Sequence, residues 1–155
     1  MAESDLHLYE TTRVIIGAFY YVFNQLGSGF LESVYHRALG NALERSGRHV
    51  EREVALSVQF EGLVVGEFRA DLVVDRQVLI EVKAAEHIVV PHEAQVINYL
   101  RASRLPVGLL LNFGPRPSYR RFVGPAAARR RSDLRRGDDA PTEGPARQDA
   151  LRSSG

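Results

Sequence analysis

The chain has 155 residues, enough for one domain with a sizeable core and too few for two well-packed ones. With 45% hydrophobic residues, 25% charged and no cysteine, it has the composition of a soluble globular protein. That composition excludes disulfide scaffolds, thiolate zinc or iron-sulfur centres and a cysteine nucleophile. Twenty basic residues against 19 acidic leave a net charge of +1, so a polyanionic partner or a membrane surface would have to be met by a local patch. No apolar run approaches the roughly 18 residues of a membrane span. The acidic start (Glu3, Asp5, Glu10) lacks the basic region of a signal peptide, and a cytoplasmic protein is expected. Nineteen of the basic residues are arginine, and the only lysine is Lys83, which suggests a position that arginine does not fill.

Ser4 or Asp5 is placed to cap a first helix, in which Leu8, Val14, Ile15, Ala18, Phe19, Val22, Phe23 and Leu26 recur at helical spacing up to Gly27. The Gly27-Ser28-Gly29 break follows a helix and lacks the Gly-Lys-Ser/Thr ending of a phosphate loop, so it reads as a turn. A second helix is expected from about Phe30 to Ser46, with Leu31, Val34, Tyr35, Ala38, Leu39, Ala42 and Leu43 on one stripe. The period then becomes two. Val50 to Phe60, Leu63 to Val74 and Val78 to Ala84 read as strands, joined by turns at Glu61-Gly62 and Asp75-Arg76-Gln77. Helical spacing returns from about His92 to Ser103, an apolar run (Val107 to Phe113) suits a buried strand, and Tyr119 to Val123 suits a short edge strand. This order, a meander followed by a crossover helix and a further strand, predicts a mixed sheet flanked by helices.

From Gly124 to the end the chain is rich in Gly, Pro, Ser, Ala and Arg and has no aromatic residue, so it reads as a disordered tail following a domain of residues 1–123. The tail carries a basic cluster, Arg129 to Arg131 with Arg135 and Arg136. The domain itself holds 13 basic and 14 acidic residues and is close to neutral.

The informative stretch is "FRADLVVDRQVLIEVKAAE", from Phe68 to Glu86. Glu81 and Lys83 lie two apart on one strand and share a face. A hairpin centred on Arg76 sets Asp71 directly opposite Glu81, with Cβ atoms about 5 Å apart, where like charges are destabilising unless something lies between them. A divalent cation fills that role. Two carboxylates at such a distance hold Mg²⁺ or Mn²⁺ through one oxygen each and leave positions for water and a substrate phosphate. Lys83 beside the ion orients or deprotonates that water and offsets negative charge.

An Asp on one strand, a hairpin and then Glu-x-Lys resembles the hallmark of the PD-(D/E)xK nuclease superfamily. The segment "GFLESVY", with Gly29, Glu32 and Tyr35, is similar to the signature of the bacterial GxxExxY protein family. In "HEAQVINYL", Gln95 and Tyr99 resemble the Q-x-x-x-Y element of exonuclease-like branches. Ala70 stands where the superfamily pattern has proline before the aspartate. The resemblance covers residues 5 to 123. It implies a restriction-endonuclease-like αβββαβ core and a Mg²⁺-dependent phosphodiesterase site in which Glu32 joins Asp71 and Glu81 as metal ligand, beside Lys83 and with Gln95 as helper.

Each residue also has an ordinary reading. Alternating charges are common on a solvated strand face, and a glutamate in a first helical turn is favourable to the dipole. Tyr35 lies at i+3 from Glu32 and either orients the carboxylate and contacts substrate or packs. Gln95 and Tyr99, at i and i+4, either face one site, where Tyr99 would stack on a base or sugar, or lie on the surface. His7, His36, His49, His87 and His92 show no metal-ligand spacing among themselves, and His87 and His92 read as loop residues in water. The expected function is a metal-dependent nuclease acting on DNA, with a homodimer or a protein partner completing the groove around its substrate. The alternative is a non-catalytic nucleic-acid or protein-binding module on the same fold. It would draw affinity from Arg101, Arg104, Arg116, Arg120, Arg121 and the tail.

Overall fold

The computed structural model describes residues 2–129. Helices α1 (Glu3–Leu26) and α2 (Glu32–Arg45) precede strands β1 (Val50–Phe60), β2 (Leu63–Val74) and β3 (Val78–Lys83). Helix α3 (Val90–Ser103), β4 (Val107–Asn112) and β5 (Ser118–Val123) complete the order. One five-stranded sheet runs in the order β1-β2-β3-β4-β5. The first three strands form an antiparallel meander, β4 joins β3 in parallel after the α3 crossover, and β5 returns antiparallel at the edge. This is the mixed sheet with flanking helices that the element order predicts, an α+β fold of the restriction-endonuclease-like kind. The buried strands β3 and β4 explain the near-continuous apolar runs there.

Two apolar layers clothe the sheet. On one side α1 and α2 bury Ile15, Phe19, Val22, Tyr35, Leu39 and Leu43 against Leu72, Val74, Val78, Ile80 and Val82. On the other, Val96, Tyr99 and Leu100 of α3 pack on Leu56, Ala70, Val73, Leu79 and Leu110. The second layer is tight. A Cβ at Gly108 would lie 2.7 Å from Val96, so glycine there lets α3 seat on β4.

The first helix starts differently from its sequence expectation. Its N-cap is Ala2, with no side-chain cap, and Ser4 and Asp5 lie inside the first turn, where Glu3 and Asp5 instead place negative charge on the positive end of the dipole. Gly27 ends α1 as expected, with φ of 69° and its N–H bonded to Phe23 O. After β5 the amides of Ala127 and Ala128 bond Gly124 O, and residues 125–129 make a helical turn where the sequence reads as the beginning of the tail. The rest of that expected tail, including most of its arginine cluster, lies outside the described residues. Among the described residues no helix is long and apolar enough to cross a membrane.

Candidate active site

The β2–β3 ladder pairs Leu72 with Ile80, Val73 with Leu79 and Val74 with Val78, the register set by the hairpin turn, and there it stops. One step further, Asp71 and Glu81 replace backbone pairing with side-chain bonds. Glu81 Oε1 accepts the Asp71 N–H at 3.1 Å, and Asp71 Oδ2 accepts the Val82 N–H at 2.7 Å. Both carboxyl groups therefore stand where the two strands separate, and the hairpin geometry alone brings them together.

A second irregularity coincides with this one. The β1–β2 ladder skips Glu53, which would face Asp71, and Glu53 takes a left-handed backbone with φ of 49°. The layers exchange at the same place. Leu72 and Val50 belong to the α1/α2 core, whereas Ala70 and Val54, which unbroken alternation would keep on that side, pack with α3. A non-glycine residue in this region costs on the order of 1–3 kcal/mol and is characteristic of sites that re-aim side chains.

Helix α2 supplies two further groups. Glu32 is its first residue, and His36 lies one turn later. His36 Nε2 lies 2.9 Å from the Asp71 carbonyl oxygen and 3.6 Å from Glu53 Oε1. Ligand atoms of His36, Glu53 and Asp71 all fall within 4.8 Å of one another. No motif in the sequence singles out either His36 or Glu53. The i+4 spacing from Glu32 is the one usable signal for His36. Nothing in sequence marks Glu53, because its place opposite Asp71 depends on the irregularity in β1.

Electrostatics separate the carboxyl groups. Glu81 is 2% exposed, and its burial, reinforced by the Asp71 charge, pushes its pKa up to about 8; the Asp71 N–H bond and Lys83 offset this only in part. Partial burial likewise raises Glu32, with Lys83, His92 and His36 working against it and Asp71 adding to it. Glu81 thus retains its proton at neutral pH.

Lys83 ends β3, and the segment after it is clamped. Asn112, fully buried opposite it on β4, accepts the Ala85 N–H through Oδ1 at 2.9 Å and donates from Nδ2 to Ala85 O at 3.0 Å. Phe113 N–H bonds Lys83 O at 2.7 Å. A Cβ at Gly114 would lie 2.0 Å from Ala85 O, so glycine is required for this close approach. In sequence this run is simply a buried strand, and Asn112 carries no signal of its own.

Tyr35 and Tyr99, read in sequence either as substrate contacts or as ordinary packing or surface residues, are both largely buried. Tyr35 is fully buried, stacks on Phe113 at 4.5 Å, donates its hydroxyl hydrogen to Gly27 O at 2.6 Å and accepts the Phe30 N–H at 3.2 Å. It fixes the turn that presents Glu32. Tyr99 is 7% exposed and accepts a hydrogen bond from Gln95 Nε2 at 3.0 Å, with its ring 5.6 Å from that of Phe68. Both lie inward because a large ring at helical spacing gains more from burial than from water. Gln95 itself is half-buried, while His92 lies near enough to Glu32 to act on its charge. His92 Nδ1 accepts the Val89 N–H at 3.3 Å.

The ligand atoms brought together belong to His36, Glu53 and Asp71, two carboxyl groups and one imidazole; among the described residues, the expected ligands Glu32 and Glu81 are not part of that cluster. The carboxyl groups suit a hard divalent cation such as Mg²⁺, and the imidazole extends the range to Mn²⁺.

Comparison with known proteins gives the family and a similar fold. Residues 9–122 match the family model described as the PD-(D/E)XK nuclease superfamily. The fold is similar to the crystal structure of SSO0001, with a TM-score of 0.51 and 21% identity over 70% of this chain and 59% of that one. The chain thus spans about three fifths of that protein's length. No curated protein matches the sequence.

Proposed function

The chain belongs to the PD-(D/E)XK nuclease superfamily, and we propose that within it this protein hydrolyses phosphodiester bonds of DNA with the aid of Mg²⁺ or Mn²⁺. The observation that carries the reading is the Asp71–Glu81 pair, two carboxyl groups juxtaposed where the strands part, with Lys83 two residues beyond Glu81. The motif of Gly29, Glu32 and Tyr35 further supports assignment to the GxxExxY branch.

Asp71, Glu81 and Glu32 would hold the ion, each through a carboxylate oxygen. When bound, the ion supplies a hydroxide from its coordinated water and stabilises charge developing at phosphorus. Lys83 orients the attacking water with its ammonium group and offsets negative charge on the phosphate. His36, donating from Nε2 to the Asp71 carbonyl, and Glu53 steady the Asp71 side of the site. Gln95, held by Tyr99, directs its remaining amide groups toward the substrate backbone.

The test is cleavage of labelled linear duplex, single-stranded DNA and RNA in Mg²⁺, Mn²⁺ or EDTA, comparing wild type with a folded Asp71→Ala/Glu81→Ala variant. Metal-dependent products lost in the variant support the proposal and define the substrate. Equal inertness of both proteins with every substrate overturns it and favours a binding module, the reading to which the near-neutral charge of residues 1–123 lends support.

A further inference from the structure

Beyond the carboxylates, β1 and β2 continue as a long hairpin that α3 faces across a groove of about 660 Å³. Among its lining residues are Ser57, Gln59, Phe68, Asn98, Arg101 and Arg104, and none of the lining residues is acidic. In a chain with nearly equal numbers of acidic and basic residues, that is a local segregation of charge. Both arginines are exposed, and among the described residues neither has a carboxylate within ion-pair distance. Arg104 also holds a left-handed backbone, φ 59°, at the C-cap of α3, a position where glycine is the usual residue.

The groove is shaped as well as charged. The β1–β2 register shifts between Val58 and Gln59, so that Val58 faces Gly66 while Gln59 faces Val64. Val65 is left over, and such a bulge bends a hairpin. Val58, Gln59, Val65 and Gly66 all line the groove, so the bend forms its outer wall.

It is also continuous with the candidate active site. Phe68 is three residues along β2 from Asp71, about 10 Å of strand. On the facing helix, Gln95, Asn98 and Arg101 succeed one another at i+3 spacing and share one stripe. Gln95 bonds Tyr99, and Tyr99 packs on Phe68, linking the helix to the groove wall.

We infer that this groove binds the phosphate backbone of the substrate strand on one side of the scissile bond, with Arg101 and Arg104 as the phosphate contacts. The inference rests on the nuclease reading and deepens it. Hydrogen-bond donors on Ser57, Gln59 and Asn98 serve the same backbone, and the exposed face of Phe68 offers a surface for a base. An acidic peptide would find the same two charges, but would not be expected to need continuity with the carboxylate cluster.

The test compares wild type with Arg101→Gln/Arg104→Gln, two exposed positions outside the core. Binding of a fluorescent single-stranded DNA oligonucleotide is titrated in EDTA from about 50 to 200 mM salt, where each lost phosphate contact reduces the slope of log K against log salt by about 0.7. Expected for the double variant are a slope smaller by about 1.4 and weaker binding at low salt. With Mg²⁺, KM for a long strand should rise by a larger factor than KM for a dinucleotide, which is too short to span the groove. Unchanged affinity and slope in a variant whose parent binds and cleaves DNA would overturn the groove assignment alone. A wild type that neither binds nor cleaves nucleic acid would overturn the nuclease reading with it.

Discussion

Asp71 and Glu81 satisfy each other's strands: the Glu81 carboxyl accepts the Asp71 N–H at 3.1 Å, while the Asp71 carboxylate accepts the N–H of Val82, the residue after Glu81. Each side chain replaces a ladder bond that the separating backbones no longer make. The site is therefore held in shape by its own carboxyl groups, and changes in their protonation should register in the stability of the fold.

The first prediction concerns that protonation. A carboxyl whose pKa rises from 4.5 to about 8 on folding keeps a proton that the unfolded chain releases. Its contribution is fully present below 4.5 and is lost as pH rises toward 8. Metal-free Glu81→Gln should therefore unfold at higher temperature than wild type at pH 8, by on the order of 4 kcal/mol in stability, and the gap should close on acidification. Calorimetric scans of both proteins across this range check it. A constant gap would count against the assignment to Glu81.

Metal binding should expel the same proton. Between the ordinary carboxyl range and pH 8, affinity for Mn²⁺ is expected to rise by about tenfold per pH unit, with close to one proton released per ion. Isothermal titration in buffers of different ionisation enthalpy counts that proton directly. Glu81→Gln should release none.

His36→Ala removes the imidazole that lies 2.9 Å from the Asp71 carbonyl and 3.6 Å from Glu53. Loss of a ligand or of its supporting hydrogen bond typically weakens metal binding by about 10–100-fold, which is the expected result for Mn²⁺. Mn²⁺ titration monitored by water-proton relaxation measures it, with circular dichroism as the control for folding.

Asn112→Ala leaves the half-buried Ala85 N–H and C=O without their side-chain partners. Such losses cost about 0.5–1.5 kcal/mol for each hydrogen bond removed. Urea unfolding should show a lowered midpoint. Because Asn112 anchors the segment immediately after Lys83, kcat should fall at pH values and temperatures where the variant remains folded, with KM little changed. A variant destabilised to the same extent at Leu39, far along α2, should retain its kcat while folded.

Asp75 offers a control remote from the site. Burial works against its ionisation. The His49 N–H, the Arg48 guanidinium and the Thr11 hydroxyl outweigh that and hold its pKa below the usual range. Its contribution is present above the ordinary aspartate value and is lost as pH falls through the lowered one. Asp75→Asn should cost about 1–2 kcal/mol near neutral pH by chemical denaturation and progressively less in acid, the opposite trend to Glu81.

Local patterning was enough to determine the order of elements. Helical spacing, the shift to period two between Val50 and Lys83 and the return at α3 are properties of neighbouring residues. The Asp71–Glu81 register was equally legible, because a tight turn counts residues outward on both sides and leaves the ladder no freedom. Tertiary structure decided the remainder. His36 and Glu53 join Asp71 only because α2 crosses the sheet where β1 takes a left-handed residue, and neither event has a local cause visible in sequence. Tyr35 and Tyr99 each admit two readings in the sequence, contact or packing for Tyr35 and contact or surface for Tyr99, and only the tertiary structure shows that each belongs to one of the two cores. Asn112 reads as one more residue of an apolar run until the neighbouring segment supplies the backbone groups it holds. Short-range spacing determines which residues share a face; which faces meet, and what lies between them, depends on packing over the whole chain.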